Sequence, residues 1–455
     1  MIFRVDNQTI NDLGIFGIIR DNSVYGIFNK THTHGGSKIL EKMFLQPLSN
    51  KEEINKRGNI IRTFINHKME FPYKSELFDS AEFYLSSKDS RTRIVAHENN
   101  LERKFRTTIG TDNNYREAQK GIVALIEIIC TTDKFLDTLN SYSNNIYYNK
   151  ETQEIDKILG IEELKKIPQN KHQKKLTYKE VAYYDNVFRF SITDSLKKLL
   201  QLIYTLDVYI TVANIAHQKK YCIAKATDSD PNHILIRELY HPLLEKPISN
   251  SIEINQTNNM VFLTGANMAG KSTFMKSFGI AIYLAHMGFP IPAAQMSFSV
   301  QDGLFTTINL PDNLNLGYSH FYAEVMRVKK VAKSIGQSNK LVVIFDELFR
   351  GTNVKDAFDA TVAVTKAFAS NKECTFIIST HIIEAGQELK KECNNINFIN
   401  LTTIMEGNQP KYTYKIKEGI SEDRHGMIII NNEGIPDILK NRTTQINRTN
   451  NEICH

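Results

Sequence analysis

The sequence predicts a two-part fold, α followed by α/β, in which a helical N-terminal half leads into a domain with a largely parallel sheet. Three observations carry that expectation. Residues 1 to about 225 place apolar side chains at helical spacing. From about 226 onward, short apolar runs alternate with helical patterns, as parallel strands joined by crossover helices do. One of those runs leads through a glycine-rich turn, Gly265 to Thr273, directly into a helix. At 455 residues and 41% hydrophobic content, the chain is long enough for two or three domains with cores of their own.

The elements follow in order. Apolar residues at 39, 40, 43, 44 and 48 give a helical stripe from Ser37 that Pro47 ends. Ser49, with Glu52 three residues on, reads as a capping box for a next helix carrying Ile54, Ile60, Ile61 and Phe64. A further helix is expected over Gly121 to Leu139, with Val123, Ile126, Ile129 and Phe135 near one face. Residues 140 to 190 are rich in Asn, Lys and Tyr. There Lys165, Lys166, Lys171, Lys174, Lys175 and Lys179 fall together with His172 and Tyr178, a candidate surface for nucleic-acid phosphates, although a solvated loop has the same composition. Ser191 or Thr193 starts a long helix with Leu196, Leu199, Leu200, Ile203, Leu206 and Ile210 at three- and four-residue steps, suited to a rigid lever. Past a boundary near Asp228 to Asn232, strands are expected at 233 to 238, 260 to 264, 341 to 345, 375 to 379 and 396 to 402, with an edge strand over Lys411 to Lys417. Helix 272 to 286 is apolar almost all round and belongs in the core. From about Asn441 a polar tail is expected to be disordered.

Charge and cysteine usage exclude several classes. A net charge of +6, with 56 basic against 50 acidic residues, leaves no uniformly basic body, so any nucleic-acid surface must arise from local clustering. The five cysteines, at 130, 222, 374, 393 and 454, show no C-x-x-C pair, which argues against a zinc site and a disulfide framework. The N-terminus lacks the charged start and apolar block of a signal peptide, and no apolar run approaches a membrane span; the expectation is a cytoplasmic protein with no membrane partner.

The turn Gly265-Ala266-Asn267-Met268-Ala269-Gly270-Lys271-Ser272-Thr273 has the form G-x-x-x-x-G-K-[ST] between an apolar strand and a helix. Its two glycines let backbone N–H groups turn inward on a polyphosphate, Lys271 reaches the outer phosphates, and Ser272 is a candidate Mg²⁺ ligand. Asp346 and Glu347 end the unbroken apolar run Leu341 to Phe345, at the edge where open α/β sheets place ligands. Asp346 is the second candidate Mg²⁺ ligand, and Glu347 is placed to accept a proton from the water attacking a γ-phosphate. Thr380-His381 follows the buried run Thr375 to Ser379, so His381 emerges at the same edge as a candidate γ-phosphate sensor or water-positioning group.

Together these runs resemble the MutS family of DNA mismatch-repair ATPases. The phosphate loop matches with Ala266 in place of the family's usual proline, Asp346-Glu347-Leu348-Phe349-Arg350-Gly351-Thr352 is similar to its D-E-x-x-R-G-T run, and Ser379-Thr380-His381 to its terminal T-H. Gly317-Tyr318-Ser319-His320-Phe321, with Glu324 beyond, resembles the family's signature loop, which implies that Ser319 contacts the nucleotide of the opposite subunit. Outside the ATPase, Thr31-x-Thr33-x-x-Gly36-Ser37-Lys38-x-Leu40, ending in Leu45-x-Pro47-Leu48, looks like the start of the family's helical core domain, and Leu206-Asp207-Val208 through Tyr221 like its helix returning from the lever. Tyr412 to Gly426 and Gly434-Ile435-Pro436 resemble its closing helix-turn-helix. Phe349 and Ala357 stand where the family commonly has small residues, and His320 where it has threonine. The core pattern begins by Asp6 and no Phe-x-Glu wedge precedes the ATPase, so the resemblance implies a short form without the mismatch-binding and connector domains.

The implied organisation is a helical core and lever domain over 1–225, a P-loop ATPase domain over 226–418, a helix-turn-helix dimerisation segment over 419–440 and a tail over 441–455. The implied activity is that of a homodimeric ATPase using ATP and Mg²⁺ to move levers on double-stranded or structured DNA, with other repair proteins as further partners. Two rival readings are a nucleotide-switched binder of branched nucleic acid outside mismatch repair and an ATPase engine for a protein partner.

Overall fold

Strands without polar interruption must be covered on both faces, and in the computed structural model the apolar runs of the C-terminal half lie side by side as such strands. The structure describes residues 3–17, 22–87, 90–94, 112–141, 147–167, 175–228, 232–308, 320–336, 340–407, 409–421, 434, 435 and 438. Strands occur at β1 (Arg4–Val5), β2 (Cys222–Ile223), β3 (Lys225–Thr227), β4 (Ile234–Leu239), β5 (Asn250–Ile254), β6 (Met260–Thr264), β7 (Pro290–Ile291), β8 (Gln295–Ser299), β9 (Gly303–Thr307), β10 (Leu341–Phe345), β11 (Thr375–Ser379), β12 (Ile396–Glu406) and β13 (Gln409–Glu418). A seven-stranded sheet has the order β1-β9-β10-β11-β6-β12-β13 and is parallel except for the last pair. Every residue of β6, β9, β10 and β11 is buried, as expected for parallel strands covered on both faces. Strands β3, β8, β4 and β5 make a second, mixed sheet. The helix Lys271–His286 is buried on nearly all sides, from Phe274 and Phe278 to Tyr283 and His286, and burial lowers the pKa of His286 to about 4.

The chain divides into two compact units, one of Met1–Val24, Pro47–Ile54 and Lys220–His455, the other of Tyr25–Gln46 and Asn55–Lys219. The helical unit therefore differs from the expected domain over 1–225, because residues 1–24, 47–54 and 220–225 belong to the unit with the sheet. Strand β1 extends the sheet by pairing with β9 in parallel, Arg4 opposite Gly303, and a Cβ on Gly303 would lie 2.6 Å from the Arg4 carbonyl oxygen. Asp6 then caps the helix Asn7–Asp12 through the Thr9 N–H and pairs with Arg327 and Lys330. Burial pushes the Asp6 pKa up, but the hydrogen bonds from Arg327 and Lys330 outweigh it and hold the carboxyl well below its usual range. Asp12 accepts from Thr306 Oγ1 at 2.6 Å and from the Ile308 N–H at 2.9 Å.

The helical unit is organised around Thr193–Lys219, which packs against His34–Leu45 and Asn149–Leu159. By length and hydropathy this helix does reach a membrane span, contrary to the sequence expectation, yet 78% of its apolar window is buried inside the protein, as in a core helix. Asp207, fully buried on it, accepts from the backbone N–H groups of His32 and Thr33 and from Thr33 Oγ1. Thr33 in turn caps His34–Leu45 through the Gly36 N–H. Cβ atoms on Gly35 and Gly36 would lie 2.3 Å from the Tyr204 ring and 2.5 Å from Asp207 Oδ2, so the Thr-x-x-Gly spacing is that of a helix start seated on a buried carboxylate. The next helix starts at Lys51, and its cap is Asn50, whose Oδ1 accepts from the Glu53 N–H at 2.9 Å, rather than the Ser49 box that the sequence suggested. The expected helix at 121 to 139 is longer, Asp112–Ser141. Most of the 419–440 segment, with the 441–455 tail, lies outside the described residues.

Candidate nucleotide-binding site

Parallel register brings the chemistry to one edge. Leu263 of β6 lies opposite Ser379 of β11, and Phe345 of β10 lies between Ile378 and Thr307, so the loops leaving β6, β10 and β11 emerge together. After β6 the chain turns through Gly265 (φ 138°), Met268 (φ 67°) and Gly270 (φ 101°), three left-handed positions that curl the backbone into a nest before the helix at Lys271. Met268 at the tip is 78% exposed. Lys271 is buried along its stem, and its Nζ donates to the carbonyls of Gly265 at 2.9 Å and Ala266 at 3.1 Å. Burial lowers its pKa, against the opposing pull of Glu347 and Asp346.

Opposite the loop, Ser272 Oγ donates to Asp346 Oδ2 at 2.5 Å and Ser379 Oγ donates to Asp346 Oδ1. Burial raises the Asp346 pKa; the two serine hydroxyls pull it back down. Among the described residues no group of three or more His, Cys, Asp or Glu side chains is arranged to hold a metal. Adjacent hydroxyl and carboxylate oxygens nevertheless suit Mg²⁺, which takes one or two protein oxygens and fills its octahedron with water and phosphate.

Glu347 adopts φ 55° directly after Asp346, a left-handed position uncommon for a non-glycine residue. Its N–H continues the ladder to the Ser379 carbonyl at 3.1 Å, which aims the side chain across the edge. Glu347 Oε1 lies 2.5 Å from His381 Nε2, and Oε2 accepts from Arg350 Nη1 at 3.1 Å. The hydrogen bond to His381, together with Arg350 and against burial, lowers its pKa to about 2. Phe349 (φ 63°) is buried edge-on against Phe321, and a Cβ on Gly351 would lie 2.8 Å from the Phe321 nitrogen, so this loop sits directly on the start of the helix His320–Ile335.

Beside the loop lies a cavity of about 340 Å³, lined in part by Tyr240, His241, Ile248, Gly270, Phe274 and Tyr414. A Cβ on Gly270 would lie 3.1 Å from the Tyr414 ring. Its volume and its mixture of apolar and aromatic walls suit a planar heterocycle. Burial, then Lys276, lowers the His241 pKa to about 4, so this ring is neutral near pH 7.

The structure thus brings together Lys271, Ser272, Asp346, Glu347 and His381. Sequence reasoning missed Ser379 and Arg350, although both sit inside motif runs, and Tyr414, which was only one position in an alternating strand. Ser319 and the side chain of His320 lie outside the described residues, as do Lys171 and Lys174. Lys165, Lys166, Lys175 and Lys179 are exposed, and Lys166 pairs with Glu162 at 2.8 Å one helical turn away.

The family model described as MutS domain III matches residues 8–213, and that described as MutS domain V matches 261–450. The DNA mismatch repair protein MutS of Pseudothermotoga lettingae is 24% identical over 97% of this chain and 64% of its own length. Its namesake in Fusobacterium nucleatum is 30% identical over 56% of this chain and 28% of its own length, and that of Persephonella marina 29% identical over 56% and 29%. The chain therefore spans less than two thirds of the length of these relatives.

Proposed function

Because the chain belongs to the MutS family, we propose that it is a Mg²⁺-dependent ATPase whose nucleotide cycle moves its helical half on DNA. The observation that carries this reading is the convergence of a phosphate-binding loop, the Ser272–Asp346 pair and the Glu347–His381 pair on one sheet edge.

In this reading backbone N–H groups of the loop and the Lys271 ammonium bind the β- and γ-phosphates; Lys271 exchanges its bonds to the loop carbonyls for the phosphate oxygens. Held by Ser272 and Asp346, Mg²⁺ would neutralise charge on the phosphate oxygens. Glu347 orients the attacking water. With its pKa near 2 it is a weak proton acceptor at pH 7, so it acts chiefly by receiving the water's hydrogen bond on a lone pair left by His381 and Arg350. His381 fixes the carboxylate's direction. Tyr414 covers the base in the adjoining cavity, and Ser319 of the partner subunit completes each site of a homodimer.

Exposed lysines of the 165–179 run contact the phosphate backbone of double-stranded or structured DNA, and the 419–440 segment contributes a helix-turn-helix to dimerisation. The setting is cytoplasmic, where the buried thiols of Cys130 and Cys374 stay reduced. Neither rival reading, a binder of branched nucleic acid outside repair or an engine for a protein partner, has an observation of its own in its favour.

The test is phosphate release by the purified protein and by Lys271→Ala and Ser319→Ala. Each substitution should abolish turnover, and mixing the two variants should restore one complete site per heterodimer. Turnover in Lys271→Ala at the wild-type rate would remove the ATPase reading. A mixture no more active than its components would remove the shared site.

A further inference from the structure

We infer that Asn250 is a positioning residue for base recognition, holding Tyr414 in the backbone conformation that turns its ring over the cavity beside the phosphate loop. The inference rests on reading that cavity as the base site of a nucleotide.

The edge hairpin contains a defect. Between β12 and β13 the ladder pairs Leu401 with Ile416 and next pairs Thr403 with Tyr412, so residues 413 to 415 of β13 stand against Thr402 alone. Extra residues on one strand form a bulge whose backbone groups lose their ladder partners and whose side chains are re-aimed. Tyr414 lies at its centre with φ 56°, in a left-handed region that a bulky L-residue avoids unless its surroundings enforce it.

The enforcement comes from outside the hairpin. Asn250, on β5 of the second sheet, donates from Nδ2 to the Tyr414 carbonyl at 2.9 Å and accepts on Oδ1 from the Ile416 N–H at 2.9 Å. One primary amide thus satisfies an acceptor and a donor on either side of the bulge. Lys415 Nζ reaches the Ser249 carbonyl at 2.6 Å, anchoring the same turn to the residue before Asn250. Within the bulge, Thr413 Oγ1 donates to the Thr402 carbonyl at 2.8 Å, which closes its other side. Both Asn250 and Tyr414 line the cavity, while the Tyr414 ring stays 45% exposed. A half-exposed aromatic ring on a strained backbone gains little from its own burial; what the arrangement provides is a flat apolar surface fixed next to Gly270.

Asparagine alone combines the two functions at this reach. Aspartate has no donor for the Tyr414 carbonyl, alanine has neither group, and glutamine is one methylene too long.

The chain contains no tryptophan, so Tyr414→Trp installs a single emitter at the inferred contact. Emission is followed while this variant is titrated with ATP and, separately, with inorganic tripolyphosphate, which carries the phosphates without the base. ATP should quench the emission and tripolyphosphate should not. With Asn250→Ala added, the quench should vanish and the ATP Kd rise about tenfold, the scale of lost base–aromatic stacking, while tripolyphosphate affinity, which also reports an intact fold, stays unchanged. In chains without the tryptophan, Asn250→Ala, Asn250→Asp and Tyr414→Ala should each weaken ATP by a similar factor, and combining Asn250→Ala with Tyr414→Ala should add nothing further. An unchanged quench in Asn250→Ala, or factors that multiply in the double variant, overturns the inference while leaving the nucleotide reading in place. Failure of the wild-type protein to bind either compound overturns the nucleotide reading itself, and this inference with it.

Discussion

Replacing Glu347 by glutamine separates binding from hydrolysis, and the size of the effect follows from how the carboxylate is held. Its two oxygens engage His381 at 2.5 Å and Arg350 at 3.1 Å, and its pKa is lowered to about 2. A positioned base contributes ~10²- to 10⁴-fold, most when its pKa is near the working pH. A carboxylate this acidic works mainly by orienting water, so Glu347→Gln should slow single-turnover hydrolysis by about 10²- to 10³-fold while ATP affinity changes by less than about threefold. Quenched-flow measurement of phosphate release, with ATP binding measured separately, reads both quantities. His381→Ala sharpens the test. It removes the largest cause of the lowered pKa, so the carboxyl returns toward its usual 4.5. Glu347 is active when ionised; the variant should therefore lose hydrolysis as pH falls toward about 4.5, where the wild-type group is still fully charged. A Glu347→Gln protein turning over at the wild-type rate, or an acid limb that moves to lower pH in His381→Ala, would refute the reasoning.

Three further outcomes are expected. Gly351→Ala places a Cβ 2.8 Å from the Phe321 nitrogen; since backbone cannot yield cheaply, urea unfolding should show a loss of about 1–3 kcal/mol, and an unchanged midpoint would mean that the loop does not sit on that helix. Asp6→Ala removes a helix cap and the carboxylate facing Arg327 and Lys330, and should cost about 1–2 kcal/mol at neutral pH. Because the folded-state pKa of Asp6 is depressed, that stabilisation is fully present above the usual 3.8 and is lost as pH falls through the lower folded value, so the unfolding curves of variant and wild type should converge in acid; a gap independent of pH would contradict the assignment. For DNA, engagement of about four lysines per subunit gives a log–log salt slope near −4, and charge removal at 171, 174 and 175 should weaken paired and mispaired duplexes alike; a tenfold preference for the mispair would show a reading element outside this account.

What the sequence revealed and what it concealed divide along the range of the interactions involved. The strand Leu341–Phe345 and its two carboxylates were legible because one uninterrupted apolar run fixes both burial and the point of exit. The phosphate loop was legible because glycine spacing, lysine and the following helix are all local. The choice of Asn50 over Ser49 as cap was not, since both residues are good caps and only the start of the helix at Lys51 decides between them. Strand β9 ends in two threonines, and β1 is two residues long; neither makes a periodic signal, and each is defined by its neighbours in the sheet. A search for an unbroken apolar run underrated Thr193–Lys219, because polar residues such as Asp207 and Thr211, themselves buried, interrupt a stretch whose mean hydropathy nevertheless reaches that of a membrane span. Tyr414 and Asn250 were invisible for a related reason, as their partnership crosses from one sheet to another and leaves no spacing to read.

The pairing of Arg4 with Gly303 also imposes an order on biosynthesis. At ~5–20 residues per second, the ribosome takes about 15–60 s to travel from β1 to the strand that receives it. For that interval β1 lacks the strand it pairs with, while the segments of the helical unit, Tyr25–Gln46 and Asn55–Lys219, are synthesised in full. The nascent chain must therefore keep this strand out of other pairings until a stretch made much later arrives. Asp6 and Asp12 bear on that interval as well as on the finished fold. Their hydrogen-bonding partners, Thr306, Arg327 and Lys330, leave the ribosome only with or after the strand that β1 awaits, so both carboxylates stay unpaired with them until then.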